Sequence, residues 1–223
     1  MLYIVSTPIG NLKDISQRAL EVLEKVKVII AESPSDSLVL LRAYNLLGKK
    51  IIKYNDKNKH RITERILEIL SKEDAAYITS AGTPTISDPG ADLVRAAREK
   101  KIEIRIIPGP SALISALAAS GIRAREFTFV SFCPRKKGQL KNFFTRFQEQ
   151  ESVLVFFESP FRILKTLEVL KEVAPSCYLC VAKEMTKIFE NYFCGSPEEV
   201  LAQINQSPKN LKGEFSVVVD FRK

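Results

Sequence analysis

The stretch ITSAGTPTISDPG (78–90), continued by ADLVRAAREKKIEIRII (91–107) and PGPSA (108–112), decides how this chain reads. An apolar run ends in a turn rich in glycine and proline. A helical segment follows, and a second apolar run ends in a second such turn. Glycine lets a backbone approach a ligand closely, and proline fixes the shape of a loop. The second turn opens a helix of small residues, whose free N–H groups and positive dipole end suit a carboxylate or phosphate. Two such loops in one half of a chain point to a small-molecule site.

Upstream, the same alternation of strand and helix is present. LYIVS (2–6), VIIA (28–31), residues 51–54, AAYIT (75–79) and EIRII (103–107) read as strands. Helices are expected over 16–26 with Ser16 as N-cap, over 37–47 ending at Gly48, over 62–70 and over 91–100. This alternation argues for an α/β fold whose N-terminal sheet is mainly parallel and flanked by helices. Downstream, the small-residue helix 111–120 gives way to FTFVSF (127–132), SVLVFF (152–157), YLCVAK (178–183), an antiparallel strand near 189–194 and FSVVVDF (215–221). Helices over 139–149, 160–173 and 197–206 separate them, so the second half reads as a mixed sheet with helices. The expected division is 1–112 and 113–223.

Composition narrows the function classes. The chain has 223 residues, 45% of them hydrophobic, and a net charge of +8. It lacks an unbroken apolar run of about 18 residues and a basic N-terminal leader, so we expect a cytoplasmic protein with no membrane span. The positive excess is shared evenly between the halves but bunches locally. Arg123, Arg125, Arg135, Lys136, Lys137, Lys141 and Arg146 face a single acid, Glu126. Such a run suits a polyanion through counterion release, or is simply a solvated face. Cys177 and Cys180 form a lone C-x-x-C in a strand, where residues three apart diverge. With one histidine, His60, no metal set is completed.

Three loops follow apolar strands: Thr7-Pro8-Ile9-Gly10-Asn11, Ser80-Ala81-Gly82-Thr83-Pro84 and Pro108-Gly109-Pro110-Ser111-Ala112. Open α/β sheets collect ligands there. None of the loops matches G-x-G-x-x-G or the phosphate loop, which disfavours dinucleotides and nucleoside triphosphates. In the second half, Glu158-Ser159-Pro160-Phe161-Arg162, Lys183-Glu184-Met185-Thr186-Lys187 and Lys212-Gly213-Glu214-Phe215 put charges beside strand ends. Glu158 and Arg162 are expected to pair on the surface, where such pairs are worth little.

TPIGN, AGTP-x-ISDPG, PGPSA, ESP-x-R, E-x-TK-x-x-E (Glu184, Thr186, Lys187, Glu190) and KGEF occur in an order and spacing that resembles the bacterial ribosomal RNA small-subunit methyltransferase I family, within the tetrapyrrole methylase superfamily. The likeness runs from Leu2 to Val219. It implies two α/β domains with S-adenosyl-L-methionine in the cleft between them, usually in a homodimer. The implied reaction is methylation of a cytidine ribose 2′-hydroxyl in 16S rRNA of the small ribosomal subunit. By this resemblance Pro8, Ile9 and Gly10 border the cleft. Ser80, Ala81, Gly82, Thr83 and Ile86 form the cofactor loop, and Ser111 and Ala112 a second one. Phe157, Met185 and Phe215 line the adenine side or are core. Lys187, Glu184, Glu190, Asp88 and Arg162 are the candidates for acid–base or electrostatic roles, or orient the substrate.

The chain also departs from the family pattern. Ser33-Pro34-Ser35-Asp36 replaces Asp-Thr-Arg and a histidine, Ser80 replaces an aspartate, Asn55–Asn58 replaces a histidine-containing stretch, and Phe161 replaces a histidine. Many members continue beyond the position of Lys223. Two alternatives therefore stay open: methylation of a small tetrapyrrole-type molecule, and a non-catalytic cofactor-binding or RNA-associated role.

Overall fold

A computed structural model describes residues 1–222 as two compact units that divide between Ser111 and Ala112. In the first unit β1 (Leu2–Val5), α1 (Gln17–Lys25), β2 (Val28–Ala31), α2 (Pro34–Ala43), β3 (Lys50–Lys53), α3 (Lys59–Leu70), β4 (Ala75–Ile78), α4 (Gly90–Glu99) and β5 (Ile104–Ile107) alternate along the chain. The strands form one sheet in the order β3-β2-β4-β1-β5, and every pairing is parallel. The inner strands β1, β2 and β4 are buried on both faces, which explains why they read as continuous apolar runs. Leu2, Ile4, Val28, Ile30 and Tyr77 pack with Ile66 and Leu67 of α3 and Leu93 and Ala97 of α4. The alternate residues Tyr3, Val5, Ile29, Ala31 and Ile78 pack with Ala19 and Leu23 of α1 and Leu41 of α2.

The second unit holds α5 (Ala112–Ala119), β6 (Thr128–Phe132), α6 (Lys137–Glu149), β7 (Val153–Glu158), α7 (Ile163–Val173), β8 (Tyr178–Lys183), β9 (Asn191–Gly195), α8 (Pro197–Asn205) and β10 (Phe215–Asp220). Its sheet runs β6-β7-β10-β8-β9; β6 is parallel to β7, and the other pairings are antiparallel. Leu154, Phe156, Leu179, Val181, Val217 and Val219 turn one face toward Phe144, Leu167 and Val200 of the helices α6, α7 and α8. The helix α5 packs against β7, β10 and β8.

Two helices have ends that correct the sequence reading. The helix expected over 37–47 runs instead over Pro34–Ala43. Proline is accommodated at its first turn, where no N–H is needed. It stops before Gly48 because Asn45 takes a left-handed conformation (φ 59°), with Asn45 N–H donating to Arg42 O and Leu46 N–H to Leu41 O. Those two bonds cap the orphan carbonyls in the way a glycine would. The helix α7 begins at Ile163 rather than Pro160; the turn before it is closed by the N–H groups of Arg162 and Ile163, which both donate to the Ser159 carbonyl. All four cysteines are free thiols. Cys177 precedes β8 rather than lying in it, and Cys180 faces Cys194 across the β8–β9 hairpin. No helix among the described residues is long and apolar enough to cross a membrane.

Candidate functional site

In an open α/β sheet, the ligand crevice opens where neighbouring strands send their chains to opposite faces. In the first unit one such point lies between β1 and β4. The helix after β1 joins the Tyr3–Val5 face, and the helix after β4 joins the Leu2–Ile4 face. The loops leaving these strands are laced together here. Thr7 and Gly82 form an isolated antiparallel bridge, each N–H donating to the other's carbonyl at 3.0 Å. Thr7 is fully buried, and its Oγ1 donates to Thr79 O at 3.3 Å.

The third loop joins them through Thr83, whose Oγ1 donates to Pro110 O at 3.1 Å and accepts from Ser6 Oγ at 3.2 Å. Glycine is demanded at two positions, by a left-handed backbone at one and by close approach at the other. Gly82 sits at φ 79° with Ile9 Cγ2 3.4 Å from where a Cβ would be, and a Cβ on Gly109 would lie 3.0 Å from Ser6 Cβ. Pro8 and Ile9 are buried beneath this junction. Gly10, Ser80, Ala81 and Ile86 are exposed at its rim, and Ser111 and Ala112 are half-buried where α5 begins.

Asp88 is a clamp for the 82–90 loop. Its Oδ1 accepts from Tyr77 OH at 2.6 Å and Gly90 N at 2.8 Å, and its Oδ2 accepts from Thr85 N at 2.6 Å. The clamp holds Thr85 at φ 74°, and Gly90 is required because a Cβ there would fall 2.1 Å from Tyr77 Cε1. A carboxylate accepting three hydrogen bonds is occupied in shaping a loop. Beside it, Ser80 Oγ donates to Asp36 Oδ2 at 2.9 Å. Burial, followed by the charges of Asp88, Asp56 and Asp36, raises the Glu32 carboxyl above its ordinary range.

In the second unit the E-x-TK-x-x-E residues form the loop between β8 and β9, and they are held as a knot. Lys187 Nζ donates to Glu184 Oε1 at 2.8 Å and to Glu214 Oε2 at 2.9 Å. Glu184 Oε1 also accepts from Glu214 N at 2.9 Å, while Glu184 N donates to Glu214 O. Glu190 accepts from Thr186 N and from Tyr192 OH. Glu184 and Thr186 both have left-handed backbones, φ 51° and 66°. Gly213, at φ 104°, leaves the room that Glu184 occupies; a Cβ would lie 2.4 Å from Glu184 Cγ.

Burial lowers the Lys187 pKa, but the two carboxylate hydrogen bonds outweigh it and the net shift is upward. Burial raises Glu184, and the Lys187 hydrogen bond, the Glu214 N–H and the charges of Lys187 and Lys183 more than reverse it. Lys187 is therefore a fixed ammonium and Glu184 a fixed carboxylate.

Arg162 and Glu158 differ from the surface pair that the sequence suggests. The Glu158 side chain is fully buried. Its Oε1 accepts from Ser159 N at 2.8 Å, and its Oε2 accepts from Thr166 Oγ1 at 2.7 Å and lies 3.2 Å from Arg162 Nη2. The same Nη2 donates to the Cys133 and Pro134 carbonyls at 2.9 and 3.1 Å, so Arg162 ties the end of β6 to the start of α7. Phe215 is a core residue, packed in the cluster with Phe156. Phe157 is half-buried and meets Phe129 and Phe132 edge-on, and Met185 is buried outside that cluster.

Lys187 and Glu184 thus touch, whereas Asp88 and Arg162 belong to separate networks. The sequence reading gave no role to Ser6, Thr7, Tyr77, Thr166 and Glu214, which hold the chosen residues in place. Glu214 sits within KGEF and was visible there. The others are single hydroxyls; those of Ser6 and Thr7 find partners 77 and 72 residues along the chain, and those of Tyr77 and Thr166 bond Asp88 and Glu158 across a turn that no spacing rule marks.

The family model described as Tetrapyrrole (Corrin/Porphyrin) Methylases matches residues 1–200. The chain is 38% identical over 220 residues to the ribosomal RNA small subunit methyltransferase I of Hydrogenobaculum sp. (strain Y04AAS1), covering 98% of this chain and 94% of that one. It is 39% identical over 219 residues to the protein of that name from Thermotoga maritima, covering 98% and 97%. Among solved structures, diphthine synthase superposes with a TM-score of 0.75 at 15% identity, over 98% of this chain and 89% of that one. At that identity the likeness is one of fold.

Proposed function

Because the chain belongs to the tetrapyrrole (corrin/porphyrin) methylase family, in the company of the ribosomal RNA small subunit methyltransferases I, we propose that it is a methyltransferase that uses S-adenosyl-L-methionine to methylate a cytidine ribose 2′-hydroxyl of 16S rRNA. The observation that carries this reading is the lacing of three loops at the carboxyl ends of β1, β4 and β5. Such a junction offers what a sulfonium zwitterion with an adenine needs. Gly10, Ser80 and Ala81 present backbone at an exposed rim, Ile86 presents an apolar wall, and Glu32 and Asp36 supply negative potential for a cation.

When bound, the donor supplies a methyl carbon already activated by the positive sulfur. What remains for the protein is to align an in-line attack and to stabilise the alkoxide that forms as the ribose 2′-hydroxyl gives up its proton to solvent water. Lys187 suits the second task. Its ammonium is fixed by Glu184 and Glu214, and with a pKa above the usual lysine range it is a cation at neutral pH and not a general base. Asp88 and Arg162 act by holding loops. The basic run from Arg123 to Arg146 supports an RNA substrate over a small neutral one. We take the protein to work in the cytoplasm as a homodimer, which sedimentation equilibrium tests.

Calorimetric titration with S-adenosylhomocysteine should show one saturable site. Labelled donor should then mark small ribosomal subunits that lack the modification, with the mark found by nucleoside mass spectrometry as a 2′-O-methylcytidine. Saturable cofactor binding with no label in any ribosomal particle would defeat the rRNA assignment.

A further inference from the structure

The strongest unexplained feature outside these networks is a set of bare apolar side chains at one edge of the second sheet. Phe161 is 96% exposed, Ile188 94% and Phe189 70%. Phe161 lies in the turn after β7, and Ile188 and Phe189 lie in the loop after β8. Both strands pair antiparallel with β10, and their last residues, Glu158 and Lys183, both stand opposite Phe215. The two loops therefore leave the same edge from points two strand spacings apart, roughly 10 Å. A single exposed phenylalanine needs no explanation, but a group on one edge does.

The rings are carried on stiff supports. Behind Phe161, buried Glu158 holds Ser159, Thr166 and Arg162. Around Phe189, Lys187 is pinned by two carboxylates, and Glu190 takes the N–H of Thr186 and the hydroxyl of Tyr192. The display of these rings is built in. Charge at the edge indicates the partner. β6 runs parallel to β7, so Arg135 and Lys136 emerge here too, and Lys212 leads into β10. All three are exposed, and none forms an ion pair among the described residues. The centre of a protein–protein patch is depleted in charge. Exposed rings beside free cations, here Arg135, Lys136 and Lys212 against the neighbouring carboxylate of Glu190, are instead the composition that stacks on unpaired bases while neutralising phosphates.

We propose that Phe161 and Phe189 are stacking platforms for unpaired bases of the RNA substrate, flanking the nucleotide to be methylated. This rests on the RNA reading above and adds the form of the substrate: a loop or extruded strand, not a closed duplex.

The test uses the full chain and the variants Phe161→Ala, Phe189→Ala, the double, Phe161→Trp and Phe161→Leu. Three quantities are read: affinity for a fluorescent single-stranded RNA oligomer against a duplex of the same sequence, KM for unmethylated small subunits, and affinity for S-adenosylhomocysteine. Each alanine should weaken single-strand binding about 5- to 150-fold and raise KM in parallel. Cofactor affinity and the salt slope of RNA binding should stay unchanged, since stacking releases no counterions. Phe161→Trp should retain binding and Phe161→Leu should not. Because these side chains are solvent-exposed, the variants should fold.

The proposal is overturned if the double variant binds the single strand like the wild type, if leucine rescues as well as tryptophan, or if the double variant's oligomeric state changes along with its affinity, which would make the edge a contact with a second copy. A wild type that stacks single strands through these rings but methylates no ribosomal particle would refute the rRNA function and leave only the single-strand binding by Phe161 and Phe189 standing.

Discussion

The loops of the first unit and the β8–β9 loop of the second are built from opposite materials. At the β1–β4 crevice the chain uses main-chain bonds, hydroxyls and small residues: the Thr7–Gly82 bridge, Thr83 on Pro110, and Gly109 against Ser6. At the β8–β9 loop it uses formal charges on a left-handed backbone, with Lys187 between Glu184 and Glu214. Neutral lacing preserves a shape, which is what holding a cofactor requires. A lysine fixed between carboxylates preserves a charge, which is what stabilising a developing alkoxide requires. Variants of the two regions should therefore fail differently, the first in affinity and the second in rate.

The largest effect should come from Lys187→Met. If the ammonium stabilises the transition state, methyl transfer should fall by about a hundredfold or more, as with loss of other preorganised donors. S-adenosylhomocysteine affinity should be unchanged in the same preparation. Equal losses of cofactor affinity and rate would make Lys187 a structural cation only. Next comes Glu158→Ala, which strands Thr166 Oγ1, Ser159 N and part of Arg162 in a buried site. Breaking such a network should cost about 3 kcal/mol of stability, read as a lower urea midpoint at unchanged slope. A loss below about 0.5 kcal/mol would return the pair to the surface class.

How much of this was legible in the sequence follows from the same contrast. The parallel sheet could be read because burial on both faces makes its inner strands unbroken apolar runs, as in VIIA and AAYI. The three loops could be read because glycine and proline mark backbone geometry directly. The second region was only partly legible. E-x-TK-x-x-E marked Glu184 and Lys187, but the partnership with Glu214 spans 30 residues and depends on β10 lying between β7 and β8. Spacing could not tell that Glu158 is buried, since a charge at a strand end looks the same whether it faces water or Thr166. The end of α2 was misread because Gly48 is the conspicuous stop, whereas Asn45 does the capping.

Gly82→Ala probes the first region alone. Its left-handed backbone costs an alanine about 1–2 kcal/mol, and the new methyl would come into contact with Ile9 Cγ2, 3.4 Å away. Stability should fall by that amount, and S-adenosylhomocysteine affinity by about tenfold. The rate on bound substrate should change little. A fall in rate at saturating cofactor and RNA, with affinity intact, would erase the division of labour between the two regions.

The smallest effect sharpens the electrostatic side of the first region. Burial, then Asp88, Asp56 and Asp36, hold the Glu32 carboxyl above 4.5, its ordinary value. The folded protein thus keeps this proton more tightly than the unfolded chain does. Its contribution to stability is fully present below pH 4.5 and is lost as pH rises through the higher folded-state value. Glu32→Gln mimics the protonated form at every pH. Its melting temperature should match the wild type near the acid end and exceed it at neutral pH, with the gap opening above pH 4.5. Since burial is the largest cause and salt screens only the charges, the gap should narrow in concentrated salt without closing. An Asp36→Asn background should narrow it slightly too. A gap independent of pH would mean that Glu32 is not held among these carboxylates, and the negative potential assigned to the crevice would lose its main support.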